Sequence, residues 1–370
     1  GHQDDAWMFQ HGSRPSDSLS INSCGKSTMI AGRALRPTRV NGRAGKKEKE
    51  KIDIAKHGAF SYYSLLEKGD AAVIALQEGS RMWYSFHGGA HPPESKVTSE
   101  ASIETLPPPK KAVVLLSQHT GAPAKAVVKA GDAVRTGQLI AEAAGFISAN
   151  IHAPVSGTVS GIDIVQHPAG HNVESVLIES DEKDEKAPFE PGDPESLDPE
   201  KIIDIIRNAG IVGLGGAAFP THVKLSPPKT KTIDTAILNG CECEPYLTCD
   251  HRVMLEDTDK VLGGFRLIMK ALGVKSGMVA VEDNKRNALA AFEAAVKPSD
   301  GIRVVRLRTK YPQGAEKQLI RSLLGREVPS GKLPLDVGCV VQNVQTSKAI
   351  DEAVREGKPL YERVIIMGKP

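Results

Sequence analysis

Between residues 235 and 325 the chain alternates short apolar runs with longer amphipathic ones, and this alternation limits the fold more than any other feature. "TAILNG" (235–240), "SGMVAVED" (276–283) and "GIRVVRLR" (301–308) read as buried strands bounded by turn residues. The stretches 251–273, 284–297 and 316–325 carry helical spacing. Strand–helix alternation calls for a parallel sheet with helices packed over it, the α/β class that most often houses nucleotide cofactors. The entry to this domain is also marked. Asp198 followed by Pro199 is a capping residue with proline at the first helical position, and Ile202, Ile205 and Ile206 then share one face before Gly210 ends the helix.

Upstream lies a segment rich in strands and turns. "VVKAGDAVRTGQLIAEA" holds two glycine-marked turns between apolar stretches, and "IHAPVSGTVSGIDI" repeats the pattern. The layout resembles the lipoyl and biotinyl carrier fold, a small flattened β-barrel. Carriers present a modified lysine at the hairpin tip, but the tip here, "AEAAGFISANIHAP", has none. The barrel is therefore expected to be a structural or docking module. Five regions follow from these readings: 1–81, a disordered or non-native extension; 82–178, the barrel; 179–198, a charged, proline-rich linker; 199–358, the α/β domain; and 359–370, the start of a further β domain.

Within 1–81, "GKST" at Gly25 to Thr28 is not expected to be a phosphate loop, because Ser20 stands where the pattern needs its first glycine. Met82 is the expected native start. The formal charge of +2 offers no basic field for nucleic acid. No apolar run approaches the roughly 18 to 20 residues of a membrane helix, so the chain is expected to be soluble and cytoplasmic. Five cysteines, an odd number, fit reduced thiols better than a disulfide framework.

Three stretches carry chemistry. In "GIVGLGGAAFPTHVKL", Gly213, Gly215 and Gly216 allow a tight turn whose N–H groups can face a phosphate, and Lys224 adds a charge for the same anion. A plain turn is the competing reading. In "NGCECEPYLTCDHR", an extended chain would put Cys241 and Cys243 on one face, with Glu242 and Glu244 on the other. The C-x-C-x₅-C spacing lacks the C-x₂-C pairs typical of zinc and iron–sulfur sites, so a metal with Cys249 and His251 is the minor reading. A buried Glu beside a nucleotide accepts ribose hydroxyls. In the third stretch, 309–350, Gly314 and Glu316 sit before a helix N-terminus, Tyr311 offers a stacking face, and Gln342, Asn343 and Thr346 end an apolar run.

Taken in order, "SFHGGAHPP", "LSQHTGAPA", "GLGGAAFPTHVKL", "NGCECEPYLTCDHRVMLE", "YPQGAEKQLI" and "QNVQT" resemble the C subunit of the Rnf (also called Rsx) ion-pumping electron-transport complex, from about Met82 to the C-terminus. More distantly they look like the NADH-binding flavoprotein subunit of respiratory complex I, whose counterparts read GxGGAGFPTxxK, N-A-D-E-S-E-P and Y-x-x-G-E-E. The resemblance implies an α/β fold: a parallel-sheet domain binding FMN and NADH, preceded by a small β barrel-sandwich (lipoyl/biotinyl-like) domain. Carried over by position, Gly213, Gly215, Gly216 and Lys224 would lie along the FMN phosphate and ring, Asn239 and Glu242 would line the flavin, and Asn343 and Thr346 would finish its phosphate pocket. Phe219, Glu244, Tyr311 and Glu316 would face NADH. None of these is implied as a catalytic acid or base, and none as a metal ligand, since the flavin itself does the hydride chemistry.

The same resemblance implies an NADH-oxidising flavoprotein subunit, peripheral on the cytoplasmic side of the bacterial inner membrane, with the complex's membrane and iron–sulfur subunits as partners. Full-length relatives carry 4Fe-4S clusters on two C-x₂-C-x₂-C-x₃-C-P motifs, which this chain lacks. Three other departures matter. Ala218 stands for a glycine, adding a methyl close to the expected flavin; Cys241 stands for an Asp; and Ser226 and Pro227 stand where complex I offers an aromatic for adenine. These departures support an alternative, a non-catalytic docking module with the same fold and a degraded flavin site.

Overall fold

The computed structural model describes residues 84–367, so the expectations for 1–81, for "GKST" and for Met82 fall outside the described residues. The first domain is built from seven strands: β1 (Lys111–Leu115), β2 (Lys125–Ala126), β3 (Ala133–Val134), β4 (Leu139–Glu142), β5 (Ile151–His152), β6 (Gly157–Gln166) and β7 (Asn172–Ser180). They pair as β1–β7–β6–β3 in one sheet and β2–β4–β5 in another. Alternating apolar positions turn Val114, Ile140, Val159, Val176 and Ile178 into one core between the sheets. Gly131 and Gly137 sit at the two expected turns with φ of 89° and 82°, a region that side-chain-bearing residues avoid. The hairpin tip between β4 and β5 does not swing free. Asn150 donates to the Asn208 carbonyl at 3.2 Å, and Ala149 packs with Val212, Leu214 and Ala218 of the next domain.

The second domain begins with α1 (Pro199–Asn208), capped by Asp198, whose carboxylate accepts the Lys201 N–H at 2.8 Å. A single turn, α2 (Thr221–Lys224), precedes β8 (Thr235–Gly240). Then come α3 (Cys249–Glu256), α4 (Thr258–Leu272), β9 (Ser276–Glu282), α5 (Arg286–Ala295), β10 (Ile302–Leu307), α6 (Glu316–Leu324), β11 (Cys339–Asn343) and α7 (Val344–Arg355). The sheet is parallel throughout, in the order β10–β9–β8–β11. One face packs against α1, α4, α5 and α7 through Ile202, Phe265, Phe292 and Ile350. The other packs against α6 through Leu319, Ile320 and Leu323.

One expectation is corrected here. The helical stretch 251–273 is two helices, broken at Asp257 (φ −125°, ψ 33°), because the Thr258 hydroxyl bonds back to the Met254 carbonyl at 2.6 Å and competes with the regular ladder. Residues 344–355, for which the sequence suggests no element, form α7. Asn343 ends β11 and caps α7 at once, leaving no linker to mark the start. Residues 359–367 form no strand. They cross between the two domains, with Leu360 N–H bonded to the Ala209 carbonyl at 2.9 Å and Tyr361 buried near Phe189.

Candidate functional site

From β8 the chain crosses to β9 on one side, while β11 returns on the other. The direction reverses between β8 and β11, and in such sheets the crevice at the strands' carboxyl ends receives ligands. Asn239 and Asn343 face each other there in register.

The glycine-rich loop crosses this crevice. Gly213 N–H donates to the Phe219 carbonyl at 2.9 Å, closing the loop on itself, and Leu214 N–H donates to Thr346 Oγ1 at 2.9 Å, tying it to α7. Gly215 lies so close to Asn343 that a Cβ there would fall 2.8 Å from the asparagine Cβ. A Cβ on Gly216 would meet nothing within 4 Å, so this side of the loop is open. Asn343 accepts from Gln345 N–H (2.8 Å) and Thr346 N–H (3.4 Å) as the cap of α7, and its amide donates to Asp250 at 2.6 Å. Gln345 donates to the other Asp250 oxygen at 2.8 Å. Burial pushes the Asp250 carboxyl up against the opposing pull of these two amides. From outside, Thr120 of the barrel donates to the Ala217 carbonyl at 2.6 Å.

Beyond Gly240 the chain is not extended, contrary to expectation: Glu242 has φ 47° and Tyr246 φ 69°. The division of faces nevertheless survives. Cys241 Cβ and Cys243 Sγ both lie against Gly314, whose N–H donates to Cys243 Sγ at 3.3 Å. Glu242 turns the other way and accepts Asp250 N–H (2.7 Å) and His251 N–H (3.3 Å) at the start of α3. Burial, with Asp250 beside it, pushes Glu242 up to about 7. Cys241 is fully buried among Ile237, Ala280 and Leu319, and burial pushes its thiol up, while that of Cys243 is pushed up to about 12. Such thiols are poor metal ligands and poor nucleophiles. Glu242, Cys249 and Asp250 have ligand atoms within 4.8 Å of one another, but both carboxylates are committed to helix caps and amides.

On the opposite wall, Asn239 donates to the Gly314 carbonyl at 2.9 Å. Tyr311 is half-buried, and burial, with Glu244 and Cys243 nearby, raises its phenol. Glu316 is the first residue of α6 and forms an ion pair with Lys224 at 2.6 Å. Lys224 therefore reaches across the crevice to the third stretch, a contact its place in the sequence did not signal.

The structure thus gathers Gly213, Gly215, Gly216, Asn343 and Thr346 on one side, Glu244, Tyr311, Gly314 and Glu316 on the other, and Asn239 between them. Phe219 lies at the loop's exit, half-buried. Sequence reasoning passed over Asp250, Lys96, Thr120 and Arg363. Asp250 is bonded to residues more than ninety positions away, and Lys96 reaches carbonyls about 150 positions away. Only the third dimension reveals such partners.

Two family models match. The Nuo51 FMN-binding domain matches residues 206–352 and the RnfC barrel sandwich hybrid domain matches residues 84–183. The C subunit of the proton-translocating ferredoxin:NAD(+) oxidoreductase complex of Clostridium ljungdahlii is 51% identical over 289 residues, 76% of this chain and 62% of that protein. The C subunit of the Na(+)-translocating ferredoxin:NAD(+) oxidoreductase complex of Acetobacterium woodii is 48% identical over 76% of this chain and 64% of its own length. The chain therefore spans under two thirds of these relatives. Among solved structures, a NAD+-reducing [NiFe]-hydrogenase in the air-oxidized state aligns with 42% of this chain and 30% of its own, at TM-score 0.37 and 26% identity. The chain thus carries matches to the RnfC barrel sandwich hybrid domain and the Nuo51 FMN-binding domain in this order, and over about three quarters of its length it is similar to proteins named as C subunits of ion-translocating ferredoxin:NAD(+) oxidoreductase complexes.

Proposed function

We propose that this chain binds FMN in the crevice between β8 and β11 and exchanges electrons between NADH and iron–sulfur centres of an Rnf-type complex. The observation that carries the reading is the open flank of the glycine loop at Gly216, set beside Asn239, Asn343 and Thr346 at the sheet's switch point. A backbone without side chains lets a phosphate-bearing ring approach closely, which is the cradle FMN needs. FMN, when bound, supplies the two-electron to one-electron chemistry.

The chain's own residues bind and orient. Gly213, Gly215 and Gly216 bring main chain to the phosphate and ring, Asn343 and Thr346 brace the loop, and Asn239 and Glu242 line the flavin. Glu244, Tyr311, Glu316 and Phe219 receive the dinucleotide. The Lys224–Glu316 ion pair spans the entrance and must open for both cofactors, leaving Lys224 to the FMN phosphate and Glu316 to NADH. No helix among the described residues is long and apolar enough to cross a membrane, and a peripheral seat on the cytoplasmic face, beside the complex's membrane and iron–sulfur subunits, completes the reading.

The test is an absorbance spectrum of the purified chain with added FMN, then with NADH in the absence of oxygen. Flavin bands that stay with the protein through desalting and bleach with NADH support the proposal. Flavin that washes through would favour a docking module that keeps the fold without the cofactor.

A further inference from the structure

Ahead of the barrel, residues 84–103 run as a strap along the carboxyl edge of the parallel sheet. Tyr84 pairs with β10, and Ala90 exchanges two hydrogen bonds with Tyr311 at 2.7 and 2.8 Å. Glu94 accepts the Asn284 amide at 2.7 Å, Thr98 meets Thr248 at 2.6 Å, and Ile103 N–H donates to Glu256 at 3.0 Å. At its centre the Lys96 ammonium donates to three backbone carbonyls, those of Glu242 (2.7 Å), Glu244 (2.8 Å) and Leu247 (2.6 Å). A second, fully buried ammonium, Lys285, takes the Cys241 carbonyl at 2.6 Å.

This turn needs such holding. Glu242 and Tyr246 both sit at positive φ, a conformation that side-chain-bearing residues keep only when their surroundings over-determine it. An ammonium has three donors around one point, so a single lysine can gather three converging carbonyls, which a planar guanidinium cannot. The strap's other anchor is Tyr311. Both anchors lie on the wall assigned above to NADH, whereas the glycine loop is held by Thr120, Thr346 and Arg363.

We propose that Lys96 is a positioning residue for NADH: it fixes the backbone of the 241–247 turn that presents Glu244 beside Tyr311, and so sets the dinucleotide wall, while the flavin-side carboxylate of Glu242 is held separately by the start of α3. This inference rests on the functional reading above for its ligand, but not for its mechanical content.

The test uses the full chain and Lys96→Met. In NADH-driven ferricyanide reduction, KM for NADH is expected to rise on the order of tenfold, while kcat and the FMN dissociation constant stay within about threefold. Thr98→Val, a milder loosening of the strap, should move KM in the same direction, and carries the test if Lys96→Met does not fold. Hydrogen exchange on the flavin-free chain supplies the second readout: amides 242–248 should exchange at least about tenfold faster in either variant, with 213–219 unchanged. An unchanged KM, or a fall in FMN affinity that accompanies the KM rise, overturns the proposal, as does unchanged exchange at 242–248. If the wild-type chain holds FMN but NADH does not reduce it, the functional reading fails, and the exchange experiment still decides whether Lys96 fixes the turn.

Discussion

Replacing Gly216 with alanine adds one methyl to a flank of the loop where nothing lies within 4 Å, whereas the same change at Gly215 drives a methyl to 2.8 Å from Asn343 Cβ and 2.9 Å from its amide nitrogen. The two neighbours should therefore fail in different ways. Asn343 cannot yield freely, because it caps α7 and donates to Asp250. Displacing it costs about 1 kcal/mol for the cap and about 1–2 kcal/mol for a buried carboxyl left short of a donor. Gly215→Ala should thus lower the melting temperature of the flavin-free chain by roughly 5–10 °C. Gly216→Ala should leave stability within about 0.5 kcal/mol of wild type, as surface substitutions do. Its methyl instead occupies the space proposed for the flavin, so FMN should bind at least about tenfold more weakly, a loss of roughly 1.4 kcal/mol or more. Thermal unfolding without ligand and FMN titration by fluorescence quenching read the two effects separately. If Gly216→Ala binds FMN as tightly as wild type, the open flank is not the cradle and the assignment of the loop is refuted.

Three further outcomes are expected. Glu316→Gln removes a half-exposed ion pair, so stability of the free chain should change by under about 1 kcal/mol, while the dissociation constant for NADH, measured by flavin reduction, rises several-fold; an unchanged constant would remove Glu316 from the dinucleotide wall. Burial raises Glu282 to about 7 from an ordinary 4.5, so its neutral form is favoured in the fold; the stability this gives is complete below pH 4.5 and lost as pH rises through about 7. Melting of the flavin-free chain should fall between pH 5 and 8, by up to roughly 3 kcal/mol from this group, with Glu242 contributing in the same direction, and a flat profile would contradict the burial argument. Ala218→Gly should leave FMN affinity within about twofold, because the Ala218 methyl is buried with Ala149, Val212 and Leu214; tighter FMN binding in this variant would mean that the methyl does reach the flavin.

Much of the architecture was legible because each local signal agreed with its neighbour. The strand 235–240 matched its apolar run residue for residue, and the Asp198–Pro199 cap and the barrel's Gly131 and Gly137 turns did what those residue types do in any context. What stayed hidden was long-range. The carbonyls gathered by Lys96, the carboxyl of Asp250 under Asn343 and Gln345, and the Lys224–Glu316 pair all join residues about 90 to 150 positions apart. No spacing rule reaches that far. The left-handed turn at Glu242 was missed for a related reason: no glycine marks it, because the ammonium groups of Lys96 and Lys285, rather than backbone freedom, hold the conformation.

The departures from the complex I pattern look different once the side chains have directions. Ala218 adopts φ 50°, as the glycine in that pattern could without strain, and for alanine this conformation costs about 1 kcal/mol. Its methyl recovers a similar amount, since burying one such group is worth about 0.8 kcal/mol, and it does so against the barrel's docked tip rather than in the crevice. The alanine thus belongs with the docked barrel, a module the sequence places directly before this domain. Cys241 follows the same logic. Where the complex I flavoprotein has an Asp, this chain has a side chain fully buried against Ile237 and Leu319, an apolar setting that suits a thiol better than a carboxylate. In the proposed site the polar work near the flavin would fall to Asn239 and to Glu242, whose carboxyl is braced by the start of α3. Both substitutions therefore exchange flavin-side chemistry for packing while leaving the open flank at Gly216 intact, and that is the arrangement expected of a working cradle on a rebuilt support.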